Sequence, residues 1–94
     1  MTYNIIISAT ARTEEAEAYL YYEEKSEGLG ERFLSEVQST LKQIAENPTF
    51  YTYCDPRRIL RDVALPKFPF VIIYEMEDNK IIVTNIHHTR KEPK

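Results

Sequence analysis

The apolar positions of this chain follow two different periods. Tyr3 to Ser8 is a short Ile-rich run, the pattern of a buried strand. From Ala11 the period lengthens. Ala11, Ala18 and Tyr22, joined by Ala16 and Tyr19, recur at helical spacing. Thr10 or Thr13 is placed to cap this helix, and Glu14, Glu15 and Glu17 suit its positive N-terminal end. Glu27-Gly28-Leu29-Gly30 stops it, because glycine permits a tight reversal. A second stripe follows at Phe33, Val37, Leu41 and Ile44, with Leu34 beside it. Asn47-Pro48 closes that helix, since proline disfavours helix at the residue before it. Two helices joined by so short a turn form an antiparallel hairpin.

After a loop over 49–56 that holds Phe50, Tyr51 and Tyr53, the period shortens to that of strands. A strand is predicted from Arg57 to Leu65, then a break at Pro66 to Pro69. Phe70 to Glu77 and Lys80 to His88 read as a hairpin turning at Asp78-Asn79, two residues that tolerate positive φ. That register sets Glu77 against Lys80, Tyr74 beside Val83 and Phe70 beside His87. The order of strand, helical hairpin and three-stranded antiparallel meander predicts an α+β fold. Its antiparallel sheet would be covered on one face, with the other face open for binding. Residues 1–94 are expected to form a single domain.

Charge sharpens this picture. The net charge of −3 conceals an asymmetry. Residues 1–50 hold four basic and nine acidic side chains, whereas residues 51–94 hold eight basic and six acidic. Anion-facing surface is therefore confined to the back half, and the whole protein is no general nucleic-acid binder. No apolar run reaches the roughly 20 residues of a membrane span. The N-terminus has no basic start or small-residue cleavage site, and a single cysteine rules out an internal disulfide. A cytoplasmic protein is expected. Cys54, in the loop, reads as an inert residue.

The chemistry-bearing residues gather at the end of the last strand, in His87-His88-Thr89-Arg90-Lys91. Adjacent His residues on a regular strand point to opposite faces, so only one can reach a shared site. His87, beside Phe70, suits a packed or rim role, and His88 is the functional candidate. The pair has no Cys or carboxylate companions at fixed spacing, so no metal site is expected. No glycine-rich phosphate loop is present and no cofactor is expected. Arg61 could stabilise phosphate charge, bind a partner's carboxylate, or pair with a nearby acid.

Six segments, in order, resemble the RelE/ParE toxin superfamily, bacterial toxins of type II toxin–antitoxin systems often described as plasmid-stabilisation proteins. They are Ala16-Glu-Ala-Tyr-Leu-Tyr-Tyr22, Gly28-Leu-Gly-Glu-Arg-Phe-Leu34, Ile44-Ala-Glu-Asn-Pro48, Leu60-Arg-Asp-Val-Ala-Leu65, Phe68-Pro-Phe-Val-Ile-Ile-Tyr74 and Ile86-His-His-Thr-Arg-Lys-Glu-Pro93. The resemblance implies a toxin neutralised by an antitoxin whose C-terminal segment wraps it. RelE-like members cleave mRNA on the ribosome without a metal, and Arg61, His88 and Arg90 fall at positions that would make them the catalytic residues. ParE-like members poison DNA gyrase by binding. For that role or for antitoxin binding the resemblance points to Arg57, Arg58, Arg61, His88, Arg90 and Lys91.

Phe70-Val71 stands where RelE-like members have Tyr-Arg, and a lysine-rich ribosome-facing surface is absent. The Phe68-Pro-Phe70 break and the His88 to Pro93 tail are more ParE-like. The ParE-like reading is therefore the first expectation. The alternatives are a ribosome-dependent endoribonuclease and a toxin fold retained for binding without toxicity.

Overall fold

The computed structural model of this chain describes residues 3–89. Six elements follow one another: β1 (Asn4–Ile7), α1 (Ala9–Lys25), α2 (Leu29–Glu46), β2 (Leu60–Ala64), β3 (Phe70–Glu77) and β4 (Lys80–His88). The four strands make one sheet in the order β1-β4-β3-β2. The meander is antiparallel, as its hairpins require, and β1 joins it parallel to β4. The sheet is therefore mixed rather than wholly antiparallel.

The helices cover one face of the sheet. Phe70, Ile72 and Tyr74 of β3 and Ile81, Val83 and Ile86 of β4 point into that face and are buried. The α2 stripe of Phe33, Val37, Leu41 and Ile44 meets them, as its spacing predicts. Aromatic rings fill the centre: Phe33 lies 5.4 Å from Phe68, 5.0 Å from Phe70 and 5.5 Å from Tyr22. On α1, Ala11 and Ala18 are buried, but Ala16 falls on the exposed side.

The N-cap of α1 is Ser8, not Thr10 or Thr13, both of which lie inside the helix. Ser8 Oγ accepts a hydrogen bond from Ala11 N at 3.0 Å. The helix thus begins one residue after β1 ends, and its first turn contains no acid. Glu14, Glu15 and Glu17 fall too far along to meet the helix dipole end-on.

The α1–α2 turn is held by Glu23, whose carboxylate accepts from Gly28 N and Gly30 N, each at 2.9 Å. Gly28 takes φ 88°, a conformation that costs glycine little. Gly30 is needed for a different reason, because α1 passes close against it. A Cβ there would lie 2.7 Å from Tyr19 O and 2.8 Å from Glu23 Oε1.

Two strand-level expectations change. The strand predicted from Arg57 begins only at Leu60, because Asp55 Oδ1 accepts from both Ile59 N and Leu60 N and folds the preceding residues into a turn. Arg57 and Arg58 are therefore loop residues. The hairpin starts in the expected register, with Glu77 opposite Lys80 and Tyr74 opposite Val83. A β-bulge then intervenes, so Ile73 faces Asn85 and Phe70 faces His88 rather than His87. The extra residue on β4 is Thr84, whose Oγ1 donates to Ile73 O at 3.2 Å.

Gly30→Ala is expected to destabilise the fold by about 1–3 kcal/mol, because a backbone oxygen cannot yield as a side-chain tip can. Denaturant unfolding should show a lower midpoint with an unchanged slope.

Candidate functional site

The candidate residues occupy two opposite ends of the sheet. At the outer edge of β2, the loop after α2 folds back along the strand: Tyr53 bridges Arg61, and Cys54 N donates to Leu60 O at 2.8 Å. Arg61, opposite Tyr74 in the sheet, points to the helix side and beneath this loop. Its Nη1 donates to Tyr51 O at 2.6 Å and Thr49 O at 3.3 Å. Its Nη2 donates to Tyr53 Oη at 2.9 Å, and the guanidinium lies 4.1 Å from the centre of the Tyr53 ring. Asp62, one acid that Arg61 could pair with, lies opposite Ile73 and so points to the other face. The guanidinium instead clamps the loop through its carbonyls.

Tyr74 completes that clamp from inside, donating to Pro48 O at 2.6 Å. Burial pushes its hydroxyl up to about 12, against the pull of Arg61, so it stays a neutral donor. Beyond the clamp, Arg57 and Arg58 form the exposed tip of the loop. Arg57 Nε lies 4.0 Å from Asp55 Oδ2. Two backbone N–H donors, Leu60 foremost, hold the Asp55 carboxyl below its ordinary value. Cys54 has the opposite bias: desolvation, then the charges of Asp62 and Asp55, push its thiol up, away from the thiolate a nucleophile needs.

The second place lies where β4 runs on beyond the end of β1. β1 pairs only with Lys80 to Val83, so Asn85 to His88 would be a bare edge without α1. Glu14 stands in for the missing strand. Its Oε1 accepts from Ile86 N at 2.8 Å, and Asn85 Nδ2 donates to it at 3.3 Å. Between this edge and α1 runs a groove of about 410 Å³, bordered by Glu14, Glu17, Ala18, Tyr21, Phe70, Ile86 and both histidines. His88 sits on the helix side, its ring edge-on to Phe70 with centres 4.9 Å apart. His87 lies opposite Val71, whose side chain points away from the helices. The packed rim position expected for His87 thus belongs to His88, because the bulge exchanged their faces.

Arg61 and His88 are not brought together. They flank β3 on opposite sides, opposite Tyr74 and Phe70 respectively, which puts them on the order of 15 Å apart at ordinary strand spacings. Arg90 and Lys91 lie outside the described residues. Glu14 and Glu17 read from the sequence only as acids suited to the helix N-terminus, and Tyr21 not as a site candidate, although their spacing of three and four places all three on one helix face. Among the described residues no group of three His, Cys, Asp or Glu is placed to hold a metal, and no helix is long and apolar enough to cross a membrane.

The family model described as ParE toxin of type II toxin-antitoxin system, parDE, matches residues 5–93. The chain belongs to the ParE toxin family. Its fold agrees with solved structures at low sequence identity. A chain of the chromosomal ParDE toxin–antitoxin system from P. aeruginosa superposes with a TM-score of 0.71 at 15% identity, covering 95% of this chain and 98% of that one. A chain of the YoeB dimer from Staphylococcus aureus does so with a TM-score of 0.65 at 16% identity, covering 93% and 97%. A search of curated protein sequences found no match. This ParE-family chain therefore has the architecture expected of a type II toxin, and its family implies an antitoxin partner.

Two substitutions test the loop. Arg61→Ala should lower stability by about 1–3 kcal/mol by orphaning carbonyls at 49 and 51, and should open the 49–58 segment to limited proteolysis. Asp55→Asn tests the second anchor. The folded carboxyl titrates below the ordinary 3.8, so the native state holds fewer protons than the unfolded chain just below that pH. Its contribution is present above 3.8 and is lost as pH falls through the depressed value. Acid unfolding of the Asn variant should be correspondingly less steep in that window.

Proposed function

We propose that this ParE-family toxin acts by binding a protein target such as DNA gyrase in the bacterial cytoplasm, and that a cognate antitoxin holds it inactive. The observation that carries this reading is the commitment of Arg61 to the loop at 49–53, far from His88. A nuclease needs its charge stabiliser and its proton-transfer group within hydrogen-bond reach of the same reacting atoms. Here the cation best placed by sequence for that task holds backbone oxygens instead. The separation favours Arg61 and His88 as contact or positioning residues over catalysts, and Arg57, Arg58, Arg90 and Lys91 are proposed as further contacts.

The groove beside β4 also favours a binding role. It offers an apolar floor of Ala18, Phe70 and Ile86 between a carboxylate-bearing helix and the two histidines, the mix of surfaces that holds a peptide segment. An antitoxin segment in this groove would leave the β2 edge open.

Induced expression tests the proposal with two readouts. Growth arrest with gyrase-linked DNA breaks and intact mRNA is expected. Codon-phased mRNA cuts that fall by about 10²–10⁴-fold in His88→Ala would replace it with the ribosome-dependent endoribonuclease reading. Normal growth with soluble protein present would leave a toxin fold kept for binding alone.

A further inference from the structure

We infer that the loop from Phe50 to Ile59 is a preformed docking surface for an acidic protein segment carrying an aromatic or leucine anchor. It is separate from the groove beside β4. The inference rests on the reading of this chain as a binding toxin and names the partner chemistry of one face.

Exposure is the first observation. Phe50 is 72% exposed, Tyr53 42% and Ile59 43%, so half of the large apolar side chains most open to solvent among the described residues sit on this one loop. Scattered exposed apolar residues need no explanation, but their concentration on a single loop marks an interaction site. The loop also forms the outermost part of the β2 edge, three strands from β1.

The second observation is order. The loop closes on itself as Cys54 N donates to Leu60 O, Arg58 N to Asp55 O, and Ile59 N and Leu60 N both to Asp55 Oδ1. Arg61 holds its first half through Tyr51 O and Tyr53 Oη, and the chain just before it is held by Arg61 at Thr49 O and Tyr74 at Pro48 O. An apolar surface held in one conformation loses little entropy on binding.

Charge identifies the occupant. Residues 47–61 carry three arginines and a single acid, in a chain whose net charge is −3. The Arg57 side chain is 78% exposed. Arg58 takes φ 60°, a left-handed conformation that strains any residue with a Cβ and suits glycine. Asp78 of the β3–β4 turn takes the same conformation at φ 58°, but an Asp tolerates it better than an Arg does. A strained backbone thus carries the exposed Arg58 side chain at the tip of the loop. Exposed apolar side chains on the same loop as two exposed arginines favour a peptide that pairs carboxylates with an apolar anchor, the combination found in protein hot spots. A nucleic acid would need a wider basic field than a loop on an acidic protein provides.

The test pans a random peptide library, about 15 residues long and displayed on phage, against the full chain. Enriched peptides are then measured against Phe50→Ser, Arg57→Ala and Arg58→Gly, with single-stranded oligothymidine of about the same length as the competing probe. Acidic peptides with a Phe, Tyr, Trp or Leu anchor should enrich, and each variant should weaken them about 10-fold or more. Arg58→Gly should do so without lowering Tm, since glycine relieves the backbone strain, which separates lost contact from lost fold.

Enrichment of peptides without acidic residues, binding indifferent to all three substitutions, or failure of any peptide to enrich would overturn the inference. So would oligothymidine binding more tightly than the peptides and being lost in the same variants. Growth arrest on induction would stand through each of those outcomes, because it reports the toxin reading and not this surface.

Discussion

The fold turns on the hydroxyl of Ser8. It accepts from Ala11 N to start α1, and it donates to Thr84 O at 2.9 Å, the carbonyl of the extra residue in β4. The backbone N–H of Ser8 extends the β1 ladder one step further, donating to Val83 O at 2.9 Å. One residue therefore ends the parallel strand, begins the helix and pins the bulge. Each of those groups would otherwise be a buried or half-buried backbone atom without a partner, a costly condition inside a domain of this size. Downstream of the bulge, Ile86 and His88 turn to the helix side, Glu14 covers the exposed edge, and the groove between α1 and β4 exists at all.

A second set of constraints operates at the other edge. Aromatic packing of Phe33 against Phe68, Phe70 and Tyr22 fixes α2 on the sheet, which places the end of α2 over β3. Tyr74 then reaches Pro48 and Arg61 reaches the carbonyls beyond it. These contacts convert a segment with no regular secondary structure into an ordered one. A cation consumed in this way is a weak candidate for stabilising a reaction's charge and a good one for holding a recognition surface in shape. The two edges of one sheet thus present different chemistry: a groove bordered by acids of α1 and by the two histidines, and a basic aromatic loop.

Much of the architecture was legible from residue order. The Phe33, Val37, Leu41 and Ile44 stripe, the glycine turn, the helix end at Asn47 and the bounds of β3 and β4 all follow from period and from the special backbone demands of Gly and Pro. The helix start was misplaced because Thr10, Thr13 and Ser8 are chemically equivalent caps, and only the length of β1 chooses among them. The start of β2 was misplaced because Asp55 reaches forward to two amides, a contact that no periodicity announces. His87 and His88 exchange faces relative to the expected register because a single extra residue inverts every side chain beyond it.

The class of fold, the number and order of elements, the faces of α2 and the family are all readable along the chain, since they rest on local periodicity and on short segments in order. Tertiary structure alone decided that β1 runs parallel to β4, that the bulge lies at Thr84, and that Arg61 turns to the loop at 49–53 while His88 sits beside Phe70. Each of those outcomes depends on hydrogen bonds between residues far apart in the chain, such as Ser8 with Thr84 and Ile86 with Glu14. Which of several competent donors and acceptors meet is set by the packing of whole elements, and that packing is not written at any one position.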